Sequence, residues 1–167
     1  LSRPRRFGKS LNLSMVEHFF TNHGNNAHLF STLSISSCGQ DYLRHQGAYP
    51  VVHINFKDIA ANNYRDFCSD VIREISQVFR RFPELLDANV PFEVDRERYL
   101  SIANQKYGEI NDYSDALKLL TELLYGHYGG TPCIVLVDEY DTPLSIASQN
   151  GYFDQAVSFF RKFYSSF

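Results

Sequence analysis

The stretch that most constrains this chain is "CIVLVDEYD" at residues 133–141. Five apolar residues, with Ile134, Val135 and Val137 β-branched, run straight into acids. A run of this length, rich in β-branched side chains, is too short for a buried helix and predicts a strand covered on both faces, as in a parallel sheet under helices. Its carboxylates then fall at the strand's carboxyl end. "YPVVHINF" at 49–56 reads as a second strand, bounded by Pro50 and the polar Lys57–Asp58.

Helical periods fill the rest. "KSLNLSMVEHFF" sets Leu11, Met15, His18 and Phe19 at helical spacing, with Val16 and Phe20 widening the stripe, and "NHGNN" ends it. Residues 27–49 read as irregular or shortly helical. From Tyr64 to Phe82, Phe67, Val71, Ile75, Val78 and Phe79 keep the period, and Pro83 stops it. "DRERYLSIANQKYG" at 95–108 and "DYSDALKLLTELLYGHYG" at 112–129 predict two more helices. A last one over 151–167 places Phe153, Val157, Phe160 and Tyr164 on the core side. The strands and helices together predict an α/β fold.

Composition excludes several classes. With 167 residues, 44% hydrophobic, 14 Phe and 11 Tyr, the chain is globular rather than disordered. A formal charge of −3 gives no general drive toward nucleic acid or acidic membranes, so any such role must be local. Cys38, Cys68 and Cys133 have no paired spacing and read as buried or half-buried thiols rather than disulfides or zinc ligands. The six histidines lack ligand spacing. No apolar run approaches the roughly 20 residues that span a bilayer, and no cleavable signal opens the chain, so a cytoplasmic setting is expected. The absence of an initiator Met suggests a piece of something longer.

The candidate chemistry lies at two places. "SRPRRFGKS" at 2–10 ends in the Gly8, Lys9, Ser10 of a phosphate-binding loop, with Arg3 where the usual first glycine belongs. Read alone it is equally a basic patch built on Arg3, Arg5 and Arg6. Magnesium-dependent phosphoryl transfer needs a lysine and backbone amides for phosphates, a hydroxyl and a carboxylate for the metal sphere, and a base for water. Gly8 lets the backbone close, Lys9 reaches the β and γ oxygens, and Ser10 offers its hydroxyl at the positive end of the next helix. Asp138 supplies the metal carboxylate and Glu139 the base. The basic-patch reading leaves the acidic strand end unexplained. Arg5 and Arg6 face phosphate, a neighbouring subunit or solvent. Asp141 orients Glu139 or caps a turn before Pro143, Tyr140 packs, and Arg161 and Lys162 are surface charge or a finger toward a neighbour.

"SRPRRFGKS", "YPVVHINF" and "VLVDEYDTPL" together resemble the AAA-ATPase-like family, in which an Arg at the position of Arg3 is the norm. The resemblance covers nearly the whole chain. It implies a P-loop NTPase three-layer sandwich with a parallel sheet, of the ATPase type with glutamate beside the metal aspartate. It places nucleotide contacts on Arg6, Phe7, Gly8, Lys9, Ser10 and Leu11, with ATP and Mg as ligands. Residues 1–167 would form one partial P-loop domain, with the first strand before Leu1 and the strands after the acidic one beyond Phe167. Such a piece is expected to be marginal or aggregation-prone alone. Longer family members join the ATPase to a restriction-endonuclease-like nuclease domain, so a downstream nuclease, a homo-oligomer and nucleic acid are the partners the resemblance implies. A nucleotide-binding switch without turnover and a nucleic-acid-binding module are the alternatives.

Overall fold

A computed structural model describes residues 8–87 and 93–166. The elements run α1 (Lys9–Phe20), α2 (Gln40–Leu43), β1 (Val51–Asn55), α3 (Tyr64–Phe79), α4 (Glu84–Asp87), α5 (Glu93–Ala103), α6 (Ala116–His127), β2 (Ile134–Asp138), α7 (Thr142–Gln149) and α8 (Phe153–Ser165). Short 3₁₀ turns lie at Ala27–Phe30, Ser34–Ser37 and Ile110–Tyr113. The architecture is mixed α/β, with a small parallel sheet and many helices.

The two strands are neighbours in one sheet. The Ile134 N–H donates to the Pro50 carbonyl at 3.0 Å and the Phe56 N–H to the Asp138 carbonyl at 3.1 Å, so they run parallel and Asn55 stands opposite Asp138. β2 is not covered on both faces as its apolar run predicts. Ile134 to Val137 are half-buried and Asp138 is its buried residue. Among the described residues β2 pairs with β1 alone.

The chain packs as two compact units, one holding the described residues up to His53 with Thr131–Leu136, the other Ile54–Gly130 with Val137–Phe167. In the first unit, the segment after α2 closes the end of α1. Gly47 N–H donates to Phe19 O at 2.8 Å, Tyr49 N–H to Phe20 O at 3.0 Å, and Thr21 and Tyr49 form a parallel bridge. The Phe19 and Phe20 carbonyls, which have no helical partner downstream, are thereby satisfied. Glu17 on α1 meets His53 Nδ1 on β1 at 2.6 Å. The expected stripe of α1 is corrected: Leu11 is 66% exposed and Met15 44%, His18 is exposed, and Val16, Phe19 and Phe20 are half-buried. The described residues of this unit cover only that second side.

The second unit carries the core. Asn63 begins α3 by accepting the Asp66 N–H at 3.0 Å while its amide donates back to the Asp66 carboxylate at 2.8 Å. This reciprocal cap starts the helix where the 3.6-residue period begins. Phe67, Val71, Ile75, Val78 and Phe79 are buried as the period predicts. α3 ends at Phe79, short of Phe82. The Tyr99 hydroxyl donates its hydrogen, shared between the Phe79 carbonyl at 2.6 Å and the Phe82 carbonyl at 2.9 Å, fastening α3 to α5. Ser76 Oγ donates to Ile102 O at 2.7 Å across the same contact. Burial pushes the Tyr99 phenol up to about 12, so it remains a donor there. Asn63→Ala should cost about 1 kcal/mol by removing the cap. A urea melt checks this, and an unchanged midpoint would contradict it.

α5 stops at Ala103 rather than running to Gly108, because Gln105 takes a left-handed φ of 54° and the Lys106 N–H turns back to Ser101 O at 2.8 Å. The helix expected over 112–129 divides into the turn at Ile110–Tyr113 and α6. In α8 the buried set is Ala156, Phe159, Phe160 and Phe163; of the expected Phe153, Val157, Phe160 and Tyr164, Phe160 is buried, Val157 and Tyr164 are half-buried and Phe153 is 45% exposed. Phe160, common to both sets, packs against Phe56 (centroids 5.2 Å apart) and Phe67 (6.0 Å), and Phe163 decides the rotation by reaching Phe56 (6.4 Å) and stacking on Phe159 (5.5 Å). α7 is absent from the sequence reading altogether.

The thiols are less uniformly buried than their spacing suggests. Cys38 is exposed, following the Ser34–Ser37 turn, while Cys68 and Cys133 are half-buried. Burial pushes Cys133 up to about 11. At pH 8 that leaves roughly one thiol in 10³ ionised, and the thiolate is the reactive form. Iodoacetamide should therefore label Cys38 first and Cys133 last, read by peptide mass spectrometry. Equal labelling would contradict the burial of Cys133.

Candidate functional site

In the first unit, Gly8 precedes α1 in a left-handed conformation, φ 70° and ψ 29°. A Cβ at Gly8 would meet nothing closer than Leu11 Cβ at 4.0 Å, so glycine is favoured here by backbone angle and not by space. The Gly8 carbonyl accepts the Asn12 N–H at 2.9 Å, the first bond of the helix. The amides of the first turn have no helical partner upstream, which makes this end a donor for anions. Lys9 opens the helix half-buried, and Ser10 and Leu11 are exposed. Arg6 and Phe7, with Arg3 and Arg5, lie outside the described residues.

In the second unit, Asp138 ends β2 and is 4% exposed. A carboxylate this deep needs partners for its oxygens. Its Oδ1 accepts the Glu139 N–H at 3.0 Å and its Oδ2 accepts Asn55 Nδ2 at 3.3 Å. Asn55 Oδ1 in turn accepts the Lys57 N–H at 2.9 Å, which fixes which end of the amide faces Asp138. Each Asp138 oxygen thus has one donor and keeps a further lone pair.

Glu139 departs from the strand. Its φ is 53°, one of two positive values at non-glycine residues among the described chain. A left-handed residue here breaks the strand's alternation, so Glu139 is aimed by the turn rather than by the pleat. Thr142, the first residue of α7, holds it twice. The Thr142 N–H donates to the Glu139 carbonyl at 3.1 Å and Thr142 Oγ1 donates to Glu139 Oε2 at 3.1 Å. Asp141 sits at the N-cap of α7 without a side-chain cap bond. The hydrogen bond to the Glu139 carboxylate thus comes from Thr142. Tyr140 is 61% exposed and does not pack as expected. Arg161 and Lys162 are exposed.

The structure brings Asp138, Glu139, Asn55 and Thr142 together in one unit, and Gly8, Lys9, Ser10 and Leu11 in the other. Asn55 and Thr142 were not singled out from sequence. The signal for Asn55 was its place at the end of a strand parallel to β2. For Thr142 it was the Thr-Pro pair, a common helix start, directly after "DEYD". No group of three or more His, Cys, Asp or Glu side chains is placed to hold a metal among the described residues. No helix of the described residues is long and apolar enough to cross a membrane.

A mixed α/β chain with a glycine-opened helix and a buried strand-end aspartate beside a glutamate belongs to the broad class of α/β proteins with their acids at a strand's carboxyl end. More narrowly, the family model described as "Predicted AAA-ATPase" matches residues 1–167, and the chain belongs to that AAA-ATPase-like family. It is 31% identical over 150 residues to an "Uncharacterized protein in vnfD 5'region" from Azotobacter chroococcum mcd 1. That alignment takes in 86% of this chain but 22% of the relative, so the chain spans about a fifth of the length of the curated relative it matches. No solved structure matches the chain.

Proposed function

We propose that this chain is an ATP-binding, magnesium-dependent ATPase domain that hydrolyses the γ-phosphate. The observation that carries the reading is the strand end: a buried aspartate with both oxygens oriented, followed by a glutamate lifted off the strand by a left-handed turn. Family membership supports it. In this reading residues 1–167 are part of one P-loop domain, a three-layer sandwich whose remaining strands lie elsewhere in the protein.

Lys9 places its charge on the β and γ phosphates, and the α1 first-turn amides, opened by Gly8, donate to the phosphate oxygens. Arg6, Phe7 and Leu11 complete the nucleotide contacts. Ser10 and Asp138 are the residues that would hold magnesium. The donor set fits, since magnesium takes one or two carboxylates with waters and phosphate oxygens rather than an all-protein cage. Asp138 retains lone pairs on both oxygens and Ser10 is exposed at the helix start. When bound, the ion neutralises charge on the phosphates. Glu139 takes the proton of the attacking water, and Lys9 stabilises the charge that gathers on the departing phosphate oxygens. A cytoplasmic site of action, a homo-oligomer and a downstream nuclease domain complete the proposal for the whole protein.

Competitive binding tests the reading against its alternatives. Full-length protein should bind ATP with magnesium, with an affinity that single-stranded DNA does not compete away. A nucleic-acid module built on Arg3, Arg5 and Arg6 would instead show DNA binding that falls steeply and linearly in log salt, with no ATP binding. A non-hydrolysing switch would bind ATP and return it unchanged.

A further inference from the structure

We infer that Thr142 is a positioning residue for Glu139, its hydroxyl fixing one carboxylate oxygen so that the other faces the water. The inference rests on the ATPase reading above. A left-handed φ at a residue with a Cβ is held against a cost of about 1–2 kcal/mol, so something must fix it. At Glu139 that is Thr142, through the N–H to the Glu139 carbonyl and the hydroxyl to Oε2, both at 3.1 Å.

Thr142 is itself held. It opens α7, the next residue Pro143 is buried with its φ locked by the ring, and Ala147 one turn further is fully buried. The Thr142 side chain is turned to Glu139 and not to the free amides of its own helix, the usual target of a Thr at a helix start. Glu139 Oε1 accepts no hydrogen bond among the described residues, so the carboxylate has one occupied oxygen and one open acceptor.

Such an arrangement removes the rotational freedom that a glutamate at a turn would have, and a general base is effective only when aimed. In the step served, a water oxygen forms a bond to the γ phosphorus as the bond to the β–γ bridging oxygen breaks. The electron pair leaves on ADP, and the water proton passes to Glu139 Oε1. Thr142 touches neither water nor nucleotide.

Thr142→Val keeps the shape and removes the donor, and Thr142→Ser keeps the donor. In the full-length protein Thr142→Val should slow single-turnover hydrolysis of prebound ATP about 10- to 100-fold and leave ATP affinity within about twofold. Thr142→Ser should keep most of the wild-type rate. In a Glu139→Gln background Thr142→Val should add little further loss, because its effect passes through the glutamate. Should Thr142→Val not fold, Thr142→Ala carries the same expectation. A wild-type rate in Thr142→Val, an equal loss in Thr142→Ser, or losses that multiply in the Glu139→Gln background would each overturn the inference and leave the ATPase reading standing. A Glu139→Gln variant as fast as wild type, or a wild type without hydrolysis, would overturn the ATPase reading and the inference with it.

Discussion

Glu139→Gln in the full-length protein should keep ATP bound and slow its hydrolysis by roughly 10²–10⁴, equivalent to about 2.7–5.5 kcal/mol of barrier. The exchange preserves size and removes the charge that takes the proton of the attacking water. It therefore acts on the chemical step and spares ground-state binding. Gln can still accept the Thr142 hydroxyl through its amide oxygen, so the turn at φ 53° need not change. Asp138→Asn should behave differently. It alters the oxygen pair that Asn55 and the Glu139 N–H orient, and it weakens the magnesium site, so affinity and turnover should fall together. Single-turnover hydrolysis with ATP prebound separates the two. Wild-type hydrolysis by Glu139→Gln would remove Glu139 as the base and leave a non-hydrolysing switch as the better description.

Lys9→Ala should lose ATP affinity by at least about 10- to 100-fold, the range expected when a charge-assisted hydrogen bond to phosphate is deleted. Lys9 is half-buried at the opening of α1, beside first-turn amides that already favour an anion, so its loss removes a charge that is less screened by water than a fully exposed one. Arg5→Ala should cost much less. Calorimetric titration of ATP into both variants gives the comparison. Equal affinity in wild type and Lys9→Ala would end the phosphate assignment, and a larger loss at Arg5 would favour the basic-patch reading.

The sequence made both strands and the long helices legible because local period and end signals agreed there. α3 shows this best, with Asn63 capping where the period starts and the predicted apolar positions buried. Where several faces compete, the period misled. α8 has apolar or aromatic residues at Phe153, Val157, Phe159, Phe160, Phe163 and Tyr164, and the contact of Phe163 with Phe56, far away in sequence, chose the face. α1 shows the same limit from the other side, since Leu11 and Met15 keep the helical spacing yet lie exposed. An apolar stripe states what can be buried, and the neighbours state what is. "CIVLV" gave the strand but not its half-covered faces, because the number of paired strands is a property of the sheet and not of the segment.

At the candidate site, Gly8, Asp138 and Glu139 stood out by residue type and place. Asn55 and Thr142 did not. An asparagine at a strand end and a threonine before proline are ordinary residues until the parallel register sets the first opposite Asp138 and a left-handed turn brings the second back onto Glu139. Both depend on a backbone path that a linear pattern does not encode.

Phosphate release from ATP by the wild-type full-length protein, followed with magnesium present and then chelated, tests the central claim most directly. One phosphate per ATP should be released on adding magnesium to the prebound nucleotide, and release should stop on chelation. Tight ATP binding with no phosphate released under magnesium, or release that persists at the same rate after chelation, would contradict it.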